Sequence, residues 1–66
     1  MDTRLEYQEV IKQIAKLPDN LQEVLVLKLV EELDYAEISK ITGKQEGNIR
    51  VLVHRAIKQL RDKLNE

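Results

Sequence analysis

Apolar residues recur along this chain at helical spacing, in blocks separated by the breaks that helices need. In the first block Tyr7, Val10, Ile11, Ile14 and Leu17 follow i, i+3, i+4, i+7 spacing, one stripe on a charged segment. The stripe predicts a helix over roughly Asp2–Lys16. Pro18 closes it, because the residue before a proline is pushed out of the helical region. Asp19 and Asn20 then offer an N-cap for a second helix, about Leu21–Leu33, with Glu23 placed to complete a capping box.

That second block is apolar nearly all round: Leu21, Val24, Leu25, Val26, Leu27, Leu29, Val30 and Leu33 cover most of a helical circumference. Such a helix is central to a core or is partly covered by another molecule. The first reading makes it the central helix. The second assigns Val26 and Val30, surplus to so small a core, to a partner-binding surface.

Asp34 is placed to cap a third helix, Tyr35–Thr42, with Glu37 three residues on. Gly43 then supplies a tight turn at positive φ. A fourth helix starts near Gln45 or Glu46 and runs to about Leu64. Ile49, Leu52, Val53, Ala56, Leu60 and Leu64 share one of its faces; Arg50, Val51, His54, Arg55, Lys58 and Arg61 occupy the other. The β-branched residues sit at helical spacing, so strands are not indicated. The expected fold is all-α: a compact three- to four-helix domain containing a helix-turn-helix. It is expected as a single domain over 1–66, with an N-terminal helix in 1–17, a central helix in 19–33 and the helix-turn-helix in 34–64.

Charge sharpens this picture. From Ile38 onward seven basic residues face three acidic ones, a net +4; through Glu37 four basic residues face nine acidic ones, a net −5. The whole-chain charge of −1 therefore hides two opposed halves, and only the second is built to approach a polyanion. At 66 residues there is no room for an enzyme cleft of usual size. With no cysteine there is neither a disulfide framework nor a thiolate metal site, which fits a reducing cytoplasm. No segment approaches the ~20 apolar residues that span a bilayer, and the acidic start is unlike a signal peptide.

Catalysis has little to stand on. The single histidine, His54, has Arg50 and Lys58 one turn away on either side, so it lacks an orienting acid and cannot alone hold a metal. Gly43 and Gly47 lack the strand and lysine of a phosphate-binding loop. Neither a catalytic residue, nor a metal ligand, nor a cofactor is expected.

Nucleic-acid binding is better supported. In a helix-turn-helix the second helix lies in the major groove, its first residues at base edges and its long cations on phosphates. Gln45 and Asn48 are residue types that pair bidentately with adenine, and Arg50 suits guanine. Gly47 permits close approach to the DNA backbone, and Val51 offers an apolar contact to a thymine methyl. Lys44, His54, Arg55 and Lys58 complete the candidate DNA-contacting set on this stretch.

Leu17-Pro18, Leu33-Asp34-Tyr35, Glu37-Ile38, Gly43, Glu46-Gly47, Val53-His54-Arg55-Ala56 and Leu60-Arg61 together resemble region 4 of bacterial sigma factors, most closely the extracytoplasmic-function group. The likeness runs without a gap from about Leu17 to Leu64. It implies recognition of the −35 element of double-stranded promoter DNA, docking on the β flap of core RNA polymerase, and a cytoplasmic setting. It places Arg50, Val51, His54 and Arg55 on the DNA-facing stretch and Lys28 where the family often has a phosphate-contacting arginine.

Several positions depart from the family pattern. Thr42 and Lys44 replace aliphatic residues around the turn glycine, and Gln45 stands where a Ser or Thr cap is common, a loss of about 1 kcal/mol. Val51 and Leu52 replace a frequent Ser-Arg pair, removing a cation. Leu52 is then either a core residue or an exposed one that weakens DNA binding. An alternative function follows: a protein-interaction module binding the flap or an anti-sigma factor with little DNA contact. Homodimerisation through the second helix stays open.

Overall fold

The computed structural model describes residues 3–65. They form α1 (Thr3–Ile14), α2 (Asp19–Leu25), a π-helical turn (Val26–Val30), α3 (Tyr35–Thr42) and α4 (Glu46–Leu64), with no strand among them. The fold is all-α, as the periodicity predicts.

α1 tightens as it ends. Ala15 N–H still bonds the Ile11 carbonyl, but Lys16 and Leu17 donate three residues back, to Gln13 and Ile14. The regular helix therefore stops at Ile14, short of Lys16; Asp2 lies outside the described residues. Of the expected stripe, Ile14 and Leu17 are buried and Val10 half-buried, whereas Tyr7 is 56% and Ile11 36% exposed. α1 packs chiefly against α4, and one neighbouring helix covers only part of a stripe.

The second helix departs from expectation at both ends. Its N-cap is Pro18, in extended backbone (φ −54°, ψ 148°), and no side chain caps it. The Pro18 carbonyl accepts from Leu21 and Gln22 N–H, which puts Asp19 inside the first turn rather than before it. There its carboxylate still favours the helix dipole. Asn20 Oδ1 accepts only from the adjacent Leu21 N–H, and the capping box expected through Glu23 does not form.

At the other end the helix widens. Glu31 N–H bonds the Val26 carbonyl five residues back, and Leu33 N–H reaches the Leu27 carbonyl six back. Glu32 takes a left-handed conformation (φ 56°) that ends the run at Val30, not Leu33. Stopping early turns Leu33 back toward the core and leaves Asp34 extended, as an N-cap requires.

One core joins these pieces. Ile14, Leu17, Leu21, Val24, Leu25, Ile38, Ile49, Leu52, Val53, Ala56 and Leu60 are buried together. α2 makes its most extensive contact with α4, so the all-apolar segment is the central helix at its N-terminal half. Leu64, expected on the core face, is 41% exposed because α4 outruns its neighbours, while Ile57 packs against the core's edge.

Candidate nucleic-acid interface

The surface of interest is built by α3, the turn and α4. α3 begins with a reciprocal capping box: Glu37 N–H donates to Asp34 Oδ1 at 2.8 Å, and Asp34 N–H donates to Glu37 Oε1 at 3.3 Å. It ends at Gly43, whose φ of +75° is the left-handed conformation a side chain resists. Gly43 N–H closes the helix on the Ser39 carbonyl at 2.9 Å.

Two hydroxyls then hold the turn. Ser39 Oγ donates to the Lys44 carbonyl at 2.6 Å. Thr42 Oγ1 donates to the Ile38 carbonyl at 2.9 Å and accepts from Lys44 N–H at 3.2 Å. Both backbone groups of Lys44 are thereby fixed, although its side chain breaks the family pattern. Thr42 likewise replaces an aliphatic residue with a fastener. These bonds are the part of the site that the sequence pattern does not disclose; hydroxyls flanking the turn glycine are the available signal.

α4 follows from Gln45, whose extended backbone (φ −71°, ψ 148°) serves as N-cap without a side-chain bond, as its residue type leads one to expect. Ile38 of α3 and Ile49 of α4 are both fully buried and seat the two helices on the core. Leu52 is 7% exposed and belongs to that core, so the cation missing there is replaced by packing rather than by an exposed leucine.

Arg50, Val51, His54, Arg55 and Lys58 are all exposed and line one shallow surface on the outer side of α4. Val51 is 47% exposed at its centre. Gln45 and Asn48 are exposed at the start of the helix, and a Cβ at Gly47 would meet open space. The candidates drawn from α4 therefore converge. Lys44 is half-buried beside them.

Lys28 joins the group from another element. It lies in the π turn, half-buried, with Nζ 3.4 Å from the Leu33 carbonyl and 4.5 Å from the centre of the Tyr35 ring. The guanidinium carbon of Arg50 lies 5.0 Å from the same ring centre. From sequence Tyr35 reads as a helix-starting residue and a member of the Leu33-Asp34-Tyr35 motif, with no contact to either cation indicated.

The two candidate partner residues separate. Val30 is 38% exposed, but Val26 is half-buried against the core and borders a shallow surface with Asp19, Gln22, Glu23 and Leu27. Leu29, which the sequence pattern does not single out, is 48% exposed beside Val30. Among the described residues no three His, Cys, Asp or Glu side chains gather as a metal site would require. No described helix is long and apolar enough to cross a membrane.

A family model for sigma-70, region 4 matches residues 7–60, which include the central helix and the helix-turn-helix as far as Leu60. The chain belongs to the sigma-70 region 4 family. Its similarity to named proteins is of one kind. The region 4 chain is 38% identical over 63 residues to the ECF RNA polymerase sigma factor SigW of Bacillus subtilis, covering 94% of this chain and 34% of that protein. It is 40% identical over 50 residues to the ECF RNA polymerase sigma factor ShbA of Streptomyces griseus, covering 76% of this chain and 26% of that one. With the ECF RNA polymerase sigma factor SigM of Bacillus subtilis the identity is 36% over 59 residues, covering 88% of this chain and 36% of the relative. The region 4 chain thus spans about a third of the length of these relatives. No solved structure matches it.

Proposed function

We propose that this region 4 domain reads the −35 element of promoter DNA as the DNA-binding part of an alternative, ECF-type sigma factor, in the cytoplasm. The observation that carries the reading is the single exposed face of Arg50, Val51, His54, Arg55 and Lys58 on the second helix of a glycine-turned pair. Gln45, Asn48 and Arg50 are positioned early enough in α4 to read base edges, with Val51 against a thymine methyl. Arg55, Lys58, Lys44 and Lys28 neutralise phosphates around them, and His54 offers a hydrogen bond on the same face. The role is binding rather than catalysis.

The likeness to sigma factors also supports docking on core RNA polymerase. Leu29 and Val30, adjacent and exposed at the end of the central helical segment, are the surface we assign to it, while Val26 packs on the core.

Fluorescence anisotropy of the domain on a −35-like duplex and on a scrambled duplex, at two salt concentrations, tests the DNA-reading function. Sequence-dependent binding that weakens with salt is the expected result. No binding at low salt would sink it and leave the polymerase-docking role alone.

A further inference from the structure

Among the described residues Tyr35 is the one aromatic side chain that touches two of the candidate DNA cations, and they arrive from different elements. Lys28 comes from the π turn, its ammonium 4.5 Å from the ring centre; Arg50 comes from α4, its guanidinium 5.0 Å from the same point. The two charges are thus no farther apart than those distances laid end to end. Like charges drawn together repel, and a ring carrying a negative face offsets that repulsion while restricting both side chains.

The local fold serves this meeting point in three ways. Asp34 and Glu37 cap α3 immediately around Tyr35 and fix its backbone. Tyr35 is half-buried, with its body against the hydrophobic core, so the ring is anchored rather than free. The π turn carries Lys28 to the ring, and the weak bond from Nζ to the Leu33 carbonyl holds it there.

We infer that Tyr35 is a positioning residue for DNA recognition: its ring holds both Arg50 and Lys28 before DNA arrives, one to the base edge or phosphate at the start of α4 and the other to a nearby phosphate. The inference rests on the DNA-reading function proposed above and adds to it a specific geometric device. An arginine already confined loses less side-chain freedom on binding, which is where a preordered contact gains affinity. The aromatic face supplies this, not the hydroxyl.

The test compares the 66-residue chain with Tyr35→Phe, Tyr35→Leu, Arg50→Ala and the Tyr35→Leu/Arg50→Ala double variant. Circular dichroism first establishes that each is helical; leucine keeps the apolar packing and phenylalanine keeps the ring. In the free protein, NMR should find the Arg50 side-chain protons shifted by the ring current, unchanged in Tyr35→Phe and relaxed toward ordinary values in Tyr35→Leu. On the −35-like duplex, Tyr35→Phe should bind within about twofold of the parent and Tyr35→Leu about fivefold more weakly, the scale of a partly exposed cation–π contact to each cation. In the Arg50→Ala background the leucine change should cost less than about half of that loss on a logarithmic scale, because one of its two cations is already gone.

Equal losses in Tyr35→Phe and Tyr35→Leu would overturn the inference in favour of a hydroxyl contact to DNA. Full additivity with Arg50→Ala, or unshifted Arg50 protons in the parent, would overturn it as well. If the parent fails to bind DNA, the DNA-reading function and the role assigned to Tyr35 both fall. If the parent binds and Tyr35→Leu binds equally well, only the role of Tyr35 falls.

Discussion

Ser39 reaches across the turn to Lys44: its hydroxyl donates to the Lys44 carbonyl at 2.6 Å, tying the middle of α3 to the chain just ahead of α4. A neutral hydrogen bond of this sort contributes about 1 kcal/mol net, and leaving a half-buried carbonyl without a partner adds to its loss. Ser39→Ala should therefore destabilise the domain by about 1–2 kcal/mol in urea unfolding. Because the bond also sets where α4 begins, DNA affinity should fall in a variant that is still folded. A Ser39→Ala protein with parental stability and affinity would mean that Thr42 holds the turn unaided.

Two of the described residues adopt left-handed backbone, and only one is a glycine. Gly43 has φ +75°, and a Cβ there would have nothing within 4 Å, so an alanine meets no neighbour and its cost is that of the backbone alone. That cost is about 1–2 kcal/mol, and thermal unfolding of Gly43→Ala should show it.

Glu32 is the converse case, a residue with a side chain at φ 56°. Replacing it with glycine relieves the steric cost but widens the unfolded ensemble. The balance predicts that Glu32→Gly stabilises by about 0.5 kcal/mol, within reach of a careful urea series. A destabilised variant would show that the glutamate side chain contributes a contact of its own.

Leu52 stands where the sigma region 4 pattern leads one to expect a cation, and it is buried. Truncation to alanine removes core volume and should cost about 2–4 kcal/mol. Leu52→Arg should be worse, because a guanidinium in that position must leave the core or be buried unpaired. Restoring the family's charge would therefore unfold the domain rather than strengthen DNA binding. Tighter DNA binding by a stable Leu52→Arg protein is the result that would contradict this placement.

How legible the structure is in the sequence depends on the strength of each local signal. α3 and its turn are readable to the residue because Asp34, Glu37 and Gly43 each impose a specific backbone conformation. The face of α4 is readable because charge and apolar periodicity agree over nineteen residues. The second helix is not, since a run apolar on every side has no phase from which to read a widened turn, and Glu32 gives no sign of a left-handed stop. Tyr7 and Ile11 keep helical spacing but stay exposed, because α1 packs chiefly against α4 alone. Contacts between elements, such as Tyr35 with Lys28 and Arg50, depend on packing that no local pattern encodes.

The exposed face of α4 separates into residues expected to position and residues expected to specify. Arg55 and Lys58 lie farther along the helix, where long cations meet phosphates, whereas Arg50 and Val51 lie nearer its start. A phosphate contact binds every sequence alike and releases counterions, lowering the salt dependence by about 0.9 in the log–log slope when removed. Arg55→Ala and Lys58→Ala should each weaken −35-like and scrambled duplexes by the same factor and flatten the salt slope by about one. Val51→Ala should leave the slope unchanged and narrow the difference between the two duplexes, because an apolar contact to a base carries sequence information but no charge. Anisotropy titrations of the three variants over a salt series read both quantities at once. A Val51→Ala protein that flattens the slope, or an Arg55→Ala protein that loses discrimination while keeping it, would reverse the division of labour along this helix.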